Sequence, residues 1–350
     1  MRLTEIIGHD GPRAMLLQAA ARDAVHHAYL FEGPDGVGKR QIAFAFAALM
    51  NCTERRPDDD ACGACRHCRR ILAMAADANA PAHPDILAVA PDGKQIKVAQ
   101  VREVLKVVPF PPIESAYRVV LVEPADLIGE EAANALLKTL EEPPSRTRFL
   151  LVTSRPPALL TTIRSRCQRV RFGRLRDDEL ARVLTERQGW DAEKAARVVG
   201  MADGSVGAAL ALEGDPVMSR REELVGLFLG VRPGDTAGAF ALADALVELG
   251  PAQKTALSLL DRVVRDALLV SVGAGRRLFV ESLREPLTAW ARHLGTEALL
   301  ARLDLLAETR LAMDTFHTNA RLALDRLAVA LTAPPGREGV RPVLSHDEIL

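Results

Sequence analysis

Gly33-Pro34-Asp35-Gly36-Val37-Gly38-Lys39-Arg40 is the stretch that decides the fold. It follows a short apolar run, Ala28 to Phe31, and leads into an apolar helical segment. A Gly-rich loop between a strand and a helix is the setting of a phosphate-binding P-loop. Its glycines let backbone N–H groups converge on phosphate oxygens, and the helix N-terminus adds a favourable dipole. Gly33, Gly36, Gly38, Lys39 and Arg40 are therefore the candidate nucleotide-binding residues, with Lys39 placed to reach terminal phosphates. The plain alternative is a Gly-rich β-to-α turn; spacing and placement both favour the P-loop.

Outward from the loop, strand-like and helix-like segments alternate. Asp85–Val89, Arg118–Val122 and Arg148–Val152 are short apolar runs, as buried parallel strands tend to be. Val98–Val108, Glu130–Glu142 and Pro157–Arg164 have helical patterns between them, and Gln168–Phe172 is a charged strand. Such alternation predicts a parallel α/β sheet. Beyond it, Asp177-Asp178-Glu179 opens a small helical unit punctuated by Gly189 and Gly204. After Asp215 the chain is Ala/Leu-rich and helical to about Leu331, with breaks expected at Gly230, Gly250 and Gly273. The expected division is an α/β domain over 1–173, a helical lid over 174–214, a helical domain over 215–332 and a mobile tail over 333–350.

The loop lacks its usual partners. A hydroxyl after the lysine coordinates Mg²⁺, and Arg40, which stands there, cannot. A second strand should end in an Asp for the metal, followed by a Glu that polarises water. Here Val119-Val120-Leu121-Val122 runs into Glu123-Pro124-Ala125-Asp126. Glu123 is one methylene longer than Asp, and Pro124 does no acid–base work. Asp126 is the candidate displaced substitute. Mg²⁺-assisted hydrolysis is not expected, while ATP binding stays open.

Cys52, Cys62, Cys65 and Cys68 form C-x9-C-x2-C-x2-C, four of the five cysteines in the chain. Two residues between cysteines let both thiolates reach one tetrahedral ion, and four thiolates close the shell of a structural zinc. His67 inside the run is a competing ligand, and reduced, unliganded thiols are the plain alternative. Arg166, in Ile163-Arg164-Ser165-Arg166-Cys167, follows a helix at the rim of the α/β domain. By charge statistics it is a surface residue. Its planar, permanently charged fork also suits an arginine finger, a cation supplied in trans to a neighbour's γ-phosphate.

Totals bound the rest. Lys plus Arg (45) nearly balances Asp plus Glu (46) in 350 residues, so no basic field makes the chain a nucleic-acid binder by itself. No apolar run approaches the roughly 20 residues of a membrane span, and Met1 to Glu5 has no signal-peptide core. A cytosolic protein is expected.

Together, the P-loop with its preceding His27-Ala28-Tyr29-Leu30-Phe31, the cysteine insertion, His83-Pro84-Asp85, the run from Ala132 to Pro144 (AANALLKTLEEPP) and Ser165-Arg166-Cys167 carry a resemblance over roughly residues 5 to 331. The chain resembles the delta-prime family of the bacterial DNA polymerase III clamp loader. That resemblance implies an AAA+ α/β domain with a zinc module, a lid and a C-terminal oligomerising collar. It implies gamma/tau and delta subunits as partners, and a sliding clamp and primer-template DNA met through the assembly. It implies that Arg166 is the trans finger of a non-catalytic stator. The gamma/tau motors share most of these motifs but keep Lys-Ser or Lys-Thr, Asp-Glu and a sensor Arg. Here the pairs are Lys39-Arg40 and Glu123-Pro124, and Gly204 to Leu210 holds no Arg. The alternatives are an active gamma/tau-type ATPase using Asp126, and a zinc-dependent DNA-binding module using Arg66, His67, Arg69 and Arg70.

Overall fold

The computed structural model describes residues 1–77, 82–274, 278, 283–315 and 319–333; the expected tail from 334 lies outside the described residues. The described chain forms two compact units, Met1–Ala208 and Ala209–Leu350.

In the first unit the elements run α1 (Asp10–Ala21), β1 (Ala28–Glu32), α2 (Lys39–Met50), α3 (Arg66–Ala76), β2 (Ile86–Val89), α4 (Val98–Val107), β3 (Arg118–Val122), α5 (Glu130–Glu141), β4 (Thr147–Thr153), α6 (Thr161–Arg164) and β5 (Gln168–Arg171). Helices α7 (Asp177–Gln188) and α8 (Ala192–Ala202) follow. The five strands pair in parallel in the order β2-β3-β4-β1-β5. Strands β1 and β3 are buried along their whole length, because both faces of the sheet are covered. The period-two alternation of side chains divides each strand between two cores. Tyr29, Phe31, Val119, Leu121, Leu150 and Val152 join one side, packed with α2 and α3. Leu30, Val120, Val122, Phe149 and Leu151 join the other, packed with α4 and α5. Helix α2 is buried from Ile42 through Met50, so its apolar run is a helix enclosed on all sides.

This is the α/β class expected from the sequence, with its cysteine module and helical C-terminal part. The helix expected over Pro157–Arg164 is two pieces, a 3₁₀ turn at Pro156–Ala158 and α6. Leu159 between them is extended and 5% exposed; burying that side chain in the core outweighs continuing the helix.

The second unit is helical: α10 (Pro216–Ser219), α11 (Arg221–Gly230), α12 (Thr236–Glu248), α13 (Gln253–Ser271), α14 (Arg284–Thr315) and α15 (Ala320–Leu331), after α9 (Val206–Ala211) at the boundary of the units. Gly295, at φ 76°, interrupts α14. Phe228 and Trp290 pack with ring centroids 5.5 Å apart, and the Arg302 guanidinium lies 5.7 Å from the Trp290 ring. Burial holds the Arg302 pKa below its usual value.

Candidate functional site

The P-loop sits where the sequence puts it, between β1 and α2. Gly33 has φ 151°, and a Cβ there would collide with the Phe172 carbonyl oxygen. Gly36 has φ 69°, and its Cβ would strike the Ser205 hydroxyl. Both positions therefore require glycine. The Ser205 hydroxyl donates to the Asp35 carbonyl at 2.9 Å, and the Gly207 N–H donates to the Gly36 carbonyl at 3.0 Å. Two carbonyls of the loop are thus satisfied by the turn that starts α9. Among the described residues, the Gly36 and Gly38 N–H groups donate to no protein acceptor.

Lys39 is 5% exposed. Its ammonium donates to the Gly33 carbonyl at 2.8 Å and to the Pro34 carbonyl. Desolvation pushes its pKa below the ordinary lysine value, against the opposing pull of Asp35 and Glu123. Arg40 and Glu123, 83 residues apart in sequence, meet in an ion pair of 2.6 Å. Arg40 also lies 4.9 Å from the centre of the Phe44 ring. The two positions that a magnesium ion would bridge in an active P-loop are therefore joined to each other. A guanidinium at one of them does not fit a divalent cation.

These residues line a cavity of about 340 Å³. Its polar part holds Asp35, Lys39, Arg40, Glu123 and Arg187, and Ile6, Ile7, Leu175, Val183 and Val206 line it as well. Asp126 is not among the lining residues. Its carboxylate accepts from the Thr153 hydroxyl at 2.7 Å and from Arg155 Nε at 2.9 Å. Burial alone would raise its pKa; those hydrogen bonds and the Arg155 charge bring it below the usual carboxylate range. Pro124 lines the cavity without a side-chain proton donor or acceptor.

The sequence reading missed Glu32, the last residue of β1. It is 4% exposed and carries two arginines from the neighbouring β5, Arg169 at 2.8 Å and Arg171 at 3.1 Å. The signal was the charged alternation of Gln168 to Arg171, which reads as a solvated strand until β5 is paired with β1.

Sulfurs of Cys52, Cys62, Cys65 and Cys68 all lie within 4.8 Å of one another. Cys62 Sγ and Cys68 Sγ are 3.9 Å apart, against about 3.8 Å for two thiolates on a tetrahedral zinc with Zn–S bonds of about 2.3 Å. The donor set fits a metal ion. The N–H groups of Cys62 and Cys65 point at the sulfurs of Cys52 and Cys62, at 3.2 and 3.1 Å, which favours thiolate. Burial works against charge on the Cys65 thiol, but hydrogen bonds from Cys68 and Thr53 bring its pKa down to about 6. Burial pushes Cys52 and Cys68 up.

His67 faces away from the cysteines. Its Nδ1 is 2.9 Å from Nε2 of buried His83, which lies 3.5 Å from Glu114. The Asp85 N–H donates to His83 Nδ1 at 3.1 Å. Neutral His83 therefore carries its proton on Nε2, where a metal would have to bind. The cluster of His67, His83 and Glu114 is thus a hydrogen-bonded strut. Glu114 also pairs with Arg66 at 2.9 Å and with Arg70, which neutralises part of the basic surface beside the cysteines.

Arg166 lies just past α6, its side chain 34% exposed. Its guanidinium donates to Glu141 at 2.6 Å and to the Thr162 carbonyl at 2.9 Å. Glu141 is the last residue of α5. Among the described residues, no helix is long and apolar enough to cross a membrane.

Residues 9–176 match a family model described as DNA polymerase III, delta subunit. The chain is 28% identical to the DNA polymerase III subunit delta' of Bacillus subtilis over 89% of its own length and 92% of that protein. It is 40% identical to the subunit delta' of Pseudomonas aeruginosa over 44% of its length and 45% of the relative. It is 35% identical to the subunit tau of Bacillus subtilis over 50% of its length and 29% of that chain. It therefore spans nearly all of the first relative and less than half of the other two.

Proposed function

We propose that this chain is a delta-prime-like clamp-loader subunit, as its similarity to such subunits supports, and that it is the non-catalytic stator of its loader. It presents Arg166 in trans to the ATP site of an adjacent gamma/tau subunit. With gamma/tau and delta it forms an assembly that opens a sliding clamp and places it on primer-template DNA during replication in the cytoplasm. The chain meets clamp and DNA through the assembly and has no membrane partner. In this reading the α/β domain ends at 173, the lid spans 174–214 and the collar 215–332. Zinc in the four cysteines is structural.

The observation that carries the proposal is the Arg40–Glu123 ion pair. It takes up both positions that would ligate magnesium, so the chain's own loop is left without the metal that hydrolysis needs. The gamma/tau-type alternative depends on Asp126, whose carboxylate Thr153 and Arg155 already hold. The zinc-dependent DNA module depends on a basic surface that Glu114 offsets.

A trans arginine contributes about 10³–10⁵ in rate. Clamp- and DNA-stimulated ATPase of a reconstituted loader carrying Arg166→Ala should fall by at least the lower figure at the one site this chain completes, with assembly by gel filtration unchanged. Single-turnover kinetics isolates that site from the rest. An unchanged rate at every site withdraws the trans role and leaves a scaffold.

A further inference from the structure

The loop keeps what binds phosphate and has replaced what binds Mg²⁺. The Gly36 and Gly38 amides are free of protein acceptors among the described residues. The Lys39 ammonium is buried against loop carbonyls, which accept its hydrogen bonds but supply no negative charge. An anion in the loop would supply it, and would relieve the desolvation that lowers this pKa. The cavity above the loop joins Lys39, Arg40 and Arg187 to the apolar side chains of Ile6, Leu175 and Val206. A lining that mixes these cations, and Asp35 and Glu123 beside them, with apolar surface suits a molecule with a phosphate tail and a flat, weakly polar head. At about 340 Å³ the cavity lies at the small end of ligand sites.

A divalent cation meets a different surface. The carboxylate it would need, Glu123, is held by Arg40 at 2.6 Å. To bind there, Mg²⁺ would have to displace a guanidinium and sit among cations. Arg40 itself is the positive charge that the metal would have brought. It has five N–H donors, of which one reaches Glu123 and one the Met74 carbonyl at 3.4 Å. Arg40 lines the cavity with that fixed fork, so its charge faces an anion there while the pair with Glu123 persists.

We propose that this cavity takes a nucleoside di- or triphosphate as a metal-free anion, and holds it without turnover. The proposal concerns the chain's own loop and stands apart from the trans role of Arg166; either can fail without the other. No bond is made or broken: Pro124 leaves no group to activate water.

The test is binding of a fluorescent N-methylanthraniloyl derivative of ADP to the purified full-length chain, without added divalent metal and then in excess Mg²⁺. Chelator is omitted so that the cysteine cluster keeps any ion it holds. Saturable metal-free binding that excess Mg²⁺ weakens or leaves unchanged supports the proposal, since the ion withdraws free nucleotide into a complex that this site disfavours. Lys39→Ala should weaken that binding at least tenfold. Arg40→Ser should weaken the metal-free binding and make what remains respond to Mg²⁺. Absence of saturable binding overturns the proposal, as does a tenfold tightening of the wild type by Mg²⁺. Binding indifferent to Lys39→Ala overturns it too, since the probe would then sit elsewhere. The wild-type comparison needs no variant to fold.

Discussion

Asp85, fully buried just before β2, accepts from the N–H groups of Ile113, Glu114 and Ser115 at 2.7, 2.9 and 3.0 Å and from the Ser115 hydroxyl. Arg118, 3% exposed, lies 3.6 Å away and donates to the carbonyls of Val107, Phe110 and Pro111. The two side chains hold both ends of one loop. Asp85→Ala would leave a buried guanidinium without its counter-charge and several amides without an acceptor, a change expected to cost about 3–5 kcal/mol in a denaturant titration. Burial would raise the Asp85 pKa, but the amide hydrogen bonds overcome it and hold it below the usual aspartate value. A depressed folded-state pKa gives stability that is complete above the unfolded value and lost as pH falls through the folded one. The wild-type contribution should therefore fade only below about pH 4, and Asp85→Asn should flatten that part of the pH–stability curve. Residue identities at the loop were legible because a P-loop is local: Lys39 and Arg40 could be placed from spacing alone. Their pairings were not. Arg40 finds Glu123 and Asp85 finds Ser115 across stretches whose closure only the sheet order decides.

At the scale of elements, the cysteine module is the part that sequence spacing describes best. Its four ligand atoms are close together in space as well as in sequence. Metal analysis of the purified chain should give zinc in equimolar amount, and Cys65→Ser should release it and destabilise α3, seen as loss of helical circular dichroism. Thiolate ligands must be deprotonated, so zinc retention should weaken as pH falls, while chelator at neutral pH should mimic the variant. A zinc content unchanged by Cys65→Ser would mean that the ion is held elsewhere. The strands were legible for a related reason. Runs buried on both faces read as continuous apolar segments, and Arg118–Val122 has the expected bounds. The segment Pro157–Arg164 was misread because helical spacing carries no information on which residue the core claims. Leu159 breaks the helix in order to be buried.

For the whole molecule, the second unit was legible only as helical. Its Ala/Leu-rich sequence does not separate faces buried inside a bundle from faces kept for a partner. The structure shows which faces the bundle buries. On α15, Leu324, Leu327 and Leu331 are buried, whereas Leu322 is 64% and Val329 52% exposed. The latter two are i and i+7, on one face of the helix. If this unit forms the collar, Leu322→Glu with Val329→Glu should leave the thermal unfolding of the isolated chain nearly unchanged. The same pair should remove the chain from co-eluting gamma/tau and delta on gel filtration. Retained co-elution would place the collar contact on another face.

If the loop descends from a magnesium-binding one, the ion pair between Arg40 and Glu123 would act as a ratchet on that descent. Suppose a lineage returned a serine to position 40. It would gain a hydroxyl but leave Glu123, 21% exposed at its side chain, without its counter-charge, and Pro124 would still offer no group to activate water. Returning Asp to position 123 first would shorten the reach to Arg40 by a methylene. Each single step back would then break the pair before any turnover could be regained, so recovery of a motor would need changes on two distant segments. A chain in which a guanidinium stands where a metal would bind would be easier to keep as an auxiliary than to re-recruit as an engine.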